Sequence, residues 1–286
     1  EETRVQGDGT VAWRPSARSG VSIGYAESRE PDFISHRGSV GGTMEIINRR
    51  ATIGANLRGN ADTIGATTST LPEARTRGTG LELSWEHVLT PRTRLRLLLD
   101  GSHDICGDRI GCQSSPYRHV GLVDDTGSMP LVLAERHPGQ RTRGAASARL
   151  SRALGSAAAV HASYRYYTDS WEVQGHTGGA ALAWGFLDER LILRADGRGA
   201  WQGPASFYRT PYTLSPSQDR VPAWRTADRE LAGMVDWMGS GRVEWSTYGW
   251  AFTSRLSFSA RAARYGFHYA ERAGLDDRRA WLIGGG

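Results

Sequence analysis

The side chains with chemical potential in this chain are arginines, carboxylates and a few histidines, many of them spaced two apart. Arg94 and Arg96, Glu82 with Ser84 and Glu86, and Arg194 with Asp196 and Arg198 follow this spacing, and Arg165 and Arg255 sit in similar runs. In a strand, a spacing of two puts side chains on one face. Guanidinium groups stay charged and pair well with carboxylates and phosphates, so a face of them attracts anions. Glu82, Glu86, Asp100, Asp196, Glu172 and Asp236 are the expected counter-charges, since an arginine removed from water is costly unless paired. Arg94, Arg96, Arg165, Arg194, Arg198, Arg255, Glu82 and Glu86 therefore read as lumen or selectivity residues.

Other combinations have narrower chemistry. His161 shares a strand face with Ser163 and Arg165, and Asp169 lies near His176, so a Ser163/His161 or Asp169/His176 pair would be the candidates in a hydrolase. Same-strand neighbours point alike without forming a dyad, and Asp169 beside Trp171 equally fits a hairpin turn. No catalytic residue is assigned. Glu27, Glu30 and Asp32 could gather calcium or form a salt-linked rim with Arg29. Cys106 and Cys112 are separated by five residues, two of them glycine, which suits a small disulfide ring in an oxidising compartment. His103 and Asp104 keep a zinc reading open, although a structural zinc usually takes four ligands. Tyr164, Tyr166 and Tyr167 could stack on a planar ligand or pack a wall. No metal or nucleotide cofactor is implied.

The elements that would position these groups are strands. Leu81, Leu83 and Trp85 alternate with Glu82, Ser84 and Glu86, and Leu95, Leu97 and Leu99 alternate with Arg94, Arg96, Leu98 and Asp100. The alternation predicts thirteen strands: 4–14, 20–29, 35–47, 50–60, 76–89, 93–103, 141–153, 156–168, 171–186, 190–203, 225–247, 252–268 and 278–284. Several runs are longer than the roughly 5–6 residues of a sandwich strand and long enough to cross a bilayer at a tilt. Tight turns near 15–20, 47–50, 89–92, 153–156 and 187–190 alternate with longer connections near 28–34, 60–75, 104–140 and 204–223. Short turns on one side and long loops on the other characterise outer-membrane barrels. Trp13, Trp85, Tyr166, Tyr167, Trp171, Trp184, Trp201, Tyr208, Trp237 and Trp245 fall near strand ends, as an interfacial girdle would.

The expectation is an all-β chain, one antiparallel transmembrane barrel of about 12–14 strands over residues 1–286, with 104–140 as a long extracellular loop. Bacterial single-chain barrels have even strand numbers. Thirteen therefore implies a missing upstream strand, or that 225–247 is two strands turning at Gly239-Ser240-Gly241. The mean hydropathy of −0.46 and the lack of a long apolar run exclude membrane-spanning helices. All 35 basic residues are arginine. They are scattered singly, which argues against nucleic acid despite a pI near 9.5.

The segment from Tyr164-Arg165-Tyr166-Tyr167 through Asp169 and Trp171 to His176-Thr177 resembles a proteobacterial family of outer-membrane barrels known as domain of unknown function 3570. There such a segment marks a tight hairpin. Further similar pieces follow the family order: Glu30 with Asp32; Pro116-Tyr117-Arg118; Glu135-Arg136-His137 with Arg141 and Arg143; Phe207-Tyr208; and Ala227-Asp228 with Leu231. The similarity extends over about residues 20–270. Phe33 stands where the family usually shows tyrosine. The resemblance implies an integral protein of the Gram-negative outer membrane, in contact with its lipid, and no defined activity. Lumen chemistry adds the functional expectation: a passive channel or export conduit for small, anionic solutes. The alternatives are a non-conducting scaffold or receptor that meets a partner at the 104–140 loop, and an outer-membrane hydrolase.

Overall fold

Residue alternation becomes strand pairing over most of the chain. The computed structural model describes residues 3–65, 74–107, 111–112, 118–123, 131–188, 190–213, 221–248, 255–270 and 277–285. Its strands are β1 Val5–Ser16, β2 Ser19–Glu30, β3 Phe33–Ile46, β4 Ala51–Ile64, β5 Ala74–Thr90, β6 Thr93–Cys106, β7 His119–Val123 and β8 Leu131–Ala134. They continue with β9 Gln140–Leu154, β10 Ala158–Asp169, β11 Gln174–Phe186, β12 Leu191–Gln202, β13 Tyr212–Thr213, β14 Met234–Tyr248, β15 Arg255–Tyr269 and β16 Asp277–Gly285. Thirteen of them form one antiparallel sheet in chain order, and β13, β7 and β8 form a small second sheet. The strands of the large sheet run from 9 to 17 residues.

The register sorts the side chains into two faces. Glu82 lies opposite Asn56 and Asp100, while Leu83 lies opposite Ala55 and Leu99. The polar face is concave, because Asp8, Arg37, Asp62, Asp104 and Arg143, from five strands, line one cavity of about 760 Å³. The convex face carries Leu57, Leu83, Leu97, Leu99, Leu182 and Val243, all exposed. A continuous apolar exterior of this extent is what lipid solvates.

Several sequence expectations change. The connection expected near 28–34 is only Pro31-Asp32, because Glu30 already pairs with Phe33. The strand expected over 225–247 starts at Met234. It runs unbroken through Gly239-Ser240-Gly241, which pair with Gly197, Asp196 and Ala195 and so leave no turn. Residues 225–233 instead hold a single helical turn, Arg229–Leu231, capped by the Asp228 carboxylate, which accepts from the Glu230 N–H.

The aromatic girdle is present in part. Trp237 and Trp245 are exposed on the convex face and eight residues apart on β14. At ~3.3 Å per residue and ~40° of tilt, that is ~20 Å along the membrane normal, close to the ~25 Å apolar band of such barrels. Trp184 and Trp201 repeat the arrangement on β11 and β12. Trp171 and Tyr208 do not belong to it. They are buried in a core with Val173, Ala205, Leu231 and Ala232, and Tyr167 packs against that core from the concave side. Position near a strand end does not distinguish these roles.

Candidate functional site in the lumen and its cap

On the concave face, Glu86 is opposite Arg96, which is opposite Arg149; Ser147 is opposite Arg165; and Arg194 is opposite Arg242. Following the ladder strand to strand places Arg94, Arg96, Arg165, Arg194, Arg198, Glu82 and Glu86 together on this face. The backbone of Arg255 pairs with Tyr248, and its side chain lies outside the described residues. Arg94 meets Glu86 at 3.1 Å, Arg198 meets Asp236 at 3.6 Å, and Asp196 accepts a hydrogen bond from Ser240 at 3.3 Å. Arg58 takes Asp100 at 2.6 Å, and Arg143 pairs with Asp104. Glu172 is not a lumen counter-charge. It sits exposed in the β10–β11 turn with φ of 69°.

Five more arginines outside the expected lumen set share this face: Arg37 on β3, Arg58 on β4, Arg149 on β9, Arg242 on β14 and Arg261 on β15, the last two opposite each other. The alternation of Ser147, Arg149 and Ser151 with Ala148 and Leu150 was the available signal for Arg149. Among the described residues, Arg96, Arg149, Arg165, Arg194 and Arg261 make no ion pair, and Arg242 reaches only Glu244, at 3.5 Å. Arg165 instead lies over the Tyr167 ring. Near the long loops Arg141 and Arg143 are paired, while Arg37 makes no ion pair among the described residues and donates to the Ser35 hydroxyl; Arg96, Arg149, Arg194 and Arg261 lie lower, toward the tight turns.

The long connections build a cap over β9–β14. Asp169 organises its inner edge. Its carboxylate accepts from Arg141 Nε at 2.9 Å, from the Tyr167 hydroxyl at 2.9 Å, and from the N–H groups of Trp171 and Val173. Arg141 also stacks 4.2 Å from the Trp171 ring, whose indole N–H donates to the Gln140 carbonyl. His137 is 2% exposed, wedged between Trp171 and Phe207, with Nε2 3.6 Å from Glu135. Buried Glu135 accepts from the Thr226 hydroxyl and the Ala227 N–H, tying the 107–139 connection to the 203–233 connection. Burial raises the Glu135 pKa. The neighbouring His137 ring and the hydrogen bonds from Ala227 and Thr226 outweigh that and hold it below the usual carboxylate range. Arg118 pairs with Asp228 across the same seam. The Tyr212 phenol, pushed up to about 12 chiefly by burial, accepts from the Thr226 N–H and donates to the Phe207 carbonyl. Pro116 and Tyr117 lie outside the described residues.

The motif residues thus divide by face. Arg165, Tyr167 and Asp169 turn to the lumen and cap, and Trp171 enters the cap core. Tyr164, Tyr166 and His176 turn outward, where Tyr164 OH lies 2.6 Å from His176 Nδ1. This excludes an Asp169/His176 pair, because strand alternation sends the two to opposite sides. His161 Nδ1 lies 2.8 Å from the Ser151 hydroxyl, one strand over, with Ser163 on another rung. Cys106 and Cys112 form the disulfide. The zinc reading fails with it, since the thiols are bonded to each other, Asp104 faces inward to Arg143, and His103 faces outward to Thr142. Glu27 and Glu30 are likewise split between faces. Glu27 pairs with Arg29 and Glu30 with Arg4, so the calcium cluster does not form.

Comparison with solved structures identifies the architecture. The chain is similar to the siderophore receptor PirA from Pseudomonas aeruginosa, with 9% identity and a TM-score of 0.60, covering 99% of this chain and 50% of that one. It is similar to CdiB from Acinetobacter baumannii, with 9% identity and a TM-score of 0.54, covering 99% and 50%. PirA from Acinetobacter baumannii gives 9% identity and a TM-score of 0.52, covering 99% and 47%. The chain therefore spans about half the length of these proteins, and at such identity the likeness is one of fold. No curated protein matches the sequence. Fold, apolar exterior and girdle make this an integral barrel protein of the Gram-negative outer membrane. A family model described as protein of unknown function (DUF3570) matches residues 79–277, which leaves Glu30 and Asp32 outside the matched part, and the chain belongs to that family.

Proposed function

We propose that the protein is a passive channel or export conduit for small anionic solutes, with the concave-face arginines as its selectivity elements. The observation that carries this reading is the group Arg96, Arg149, Arg194 and Arg261, without ion pairs among the described residues, on a polar face toward the tight-turn end. Charged residues lining a pore select by sign. Nearer the loops Arg58, Arg143 and Arg141 are neutralised by Asp100, Asp104 and Asp169 and Arg37 is left without an ion pair among the described residues, so most of the unpaired positive charge lies in the lower part. Single-channel recording in a planar bilayer under a salt gradient tests this. The expected result is discrete, anion-selective steps, with selectivity reduced in a triple Arg96→Gln, Arg149→Gln, Arg194→Gln variant. Cation selectivity, or a triple variant with unchanged selectivity, would sink it.

The packed cap favours a second reading, a non-conducting scaffold or receptor whose contact surface is the 107–139 connection. Its buried core and interlocked hydrogen bonds suit a fixed plug as well as a vestibule wall. A protein that inserts and stays electrically silent, then conducts once residues 113–130 are replaced by a short linker, would support this second reading.

A further inference from the structure

Most of the convex face is apolar, and its upper edge on β3–β6 is basic. His36, His103 and His176 each stand ten residues above the tight-turn end of their strands, at Ile46, Thr93 and Phe186. Trp201 lies opposite His176 at that level and Trp237 stands close to it, eleven residues from Tyr248, as aromatics at the boundary between the hydrocarbon band and the headgroups do. On β3–β6, however, aromatics are replaced by charge. Arg77 lies opposite Ala61, which lies opposite His36, and Arg75 lies one outward step higher on β5. Both arginines are exposed and make no ion pair among the described residues. His103 is held by Thr142 and His36 by Tyr25, each through Nδ1 at 2.8 Å, which leaves Nε2 directed away from the strand partner. Among the described residues, the outward-facing acidic side chain on this upper part of β2–β6 is Glu27, while Glu30, Asp62 and Asp104 face inward. Glu27 is engaged by Arg29 and lies 3.8 Å from His36.

At the headgroup level an outward arginine pair is inexpensive, and it stands where anionic headgroups can meet it. We propose that Arg75 and Arg77, with His36 and His103 beside them, form a binding site for a phosphorylated glycolipid headgroup of the outer leaflet. The arginines supply charge-assisted hydrogen bonds to phosphate oxygens. Leu57, Leu81, Leu83, Leu97 and Leu99 below them present the apolar wall that the acyl chains require. The site depends on the membrane location alone and is independent of whether the lumen conducts.

The test is native mass spectrometry of the full chain refolded in detergent and mixed with bis-phosphorylated lipid A, dephosphorylated lipid A or phosphatidylglycerol. Wild-type protein should retain the bis-phosphorylated form preferentially. Arg75→Gln/Arg77→Gln should weaken retention about thirtyfold, from about fivefold for each arginine facing an anionic lipid surface. Arg49→Gln, in an exposed turn at the opposite end, should leave it unchanged. Equal retention of phosphorylated and dephosphorylated lipid A overturns the proposal using the wild-type protein alone, even if the double variant fails to fold. Equal retention of phosphatidylglycerol would overturn the choice of a glycolipid. A folded double variant, judged by its heat-modifiable gel mobility, that still binds as tightly would overturn the assignment to these arginines.

Discussion

Asp169 has no exposed side-chain surface and accepts from Arg141, Tyr167 and two backbone N–H groups of the following turn. Removing one member of such a buried pair costs about 3–5 kcal/mol, because the other charge is left uncompensated. Asp169→Ala should therefore loosen the cap and leave the strands paired. Hydrogen exchange should report lost protection at the Trp171 and Val173 amides, with β11 amides unchanged. The opposite sign is expected at Ile47, a β-branched residue held at φ of 51° in the β3–β4 turn. The left-handed region costs a non-glycine residue roughly 1–2 kcal/mol, so Ile47→Gly should raise the unfolding midpoint in urea.

At the scale of elements, the cap consists of connections that only tertiary contacts join. Glu135 lies about ninety positions before its partners Thr226 and Ala227. No local pattern signals such a link, because neither side chain belongs to a periodic run. The Glu135 carboxyl is held below its unfolded pKa, so its stabilisation is present above the usual glutamate value. It is lost as pH falls through the lower, folded value. Trp171 fluorescence, followed from pH 7 to pH 3 with the other tryptophans replaced by phenylalanine, should show the cap loosening at the acidic end. Glu135→Gln should flatten that acidic transition. The strands, by contrast, were legible. Alternation placed all thirteen strands of the large sheet, and erred where it read 225–233 as strand and Pro31-Asp32 as part of a long loop.

For the whole molecule, the decisive property is which face meets lipid. Leu98 and Leu99 are adjacent and chemically identical, yet Leu98 lies on the ladder with Ser84 and Ser147, while Leu99 is 56% exposed on the convex face. Arginine on the lipid face near the midplane of a barrel costs about 2–4 kcal/mol. Leu99→Arg should therefore lower folding stability in vesicles by that amount. Leu98→Arg, facing the polar lumen, should cost about 1 kcal/mol or less. Urea titration of the reconstituted protein measures both, and equal costs would mean that the faces had been assigned wrongly.

What the sequence by itself determined is the class of the protein. Period-two alternation over long runs with alternating turn lengths is a local property, and it carries an outer-membrane barrel wherever the register falls. The disulfide was legible for the same reason, since Cys106 and Cys112 are near neighbours along the chain. Tertiary structure alone decided which arginines are neutralised, because Arg58–Asp100 and Arg143–Asp104 join positions about forty residues apart. It also moved Trp171 and Tyr208 from the girdle into the cap. Burial is set by what the distant connections bring over a residue, and a strand-end aromatic looks the same along the chain whether lipid or protein covers it.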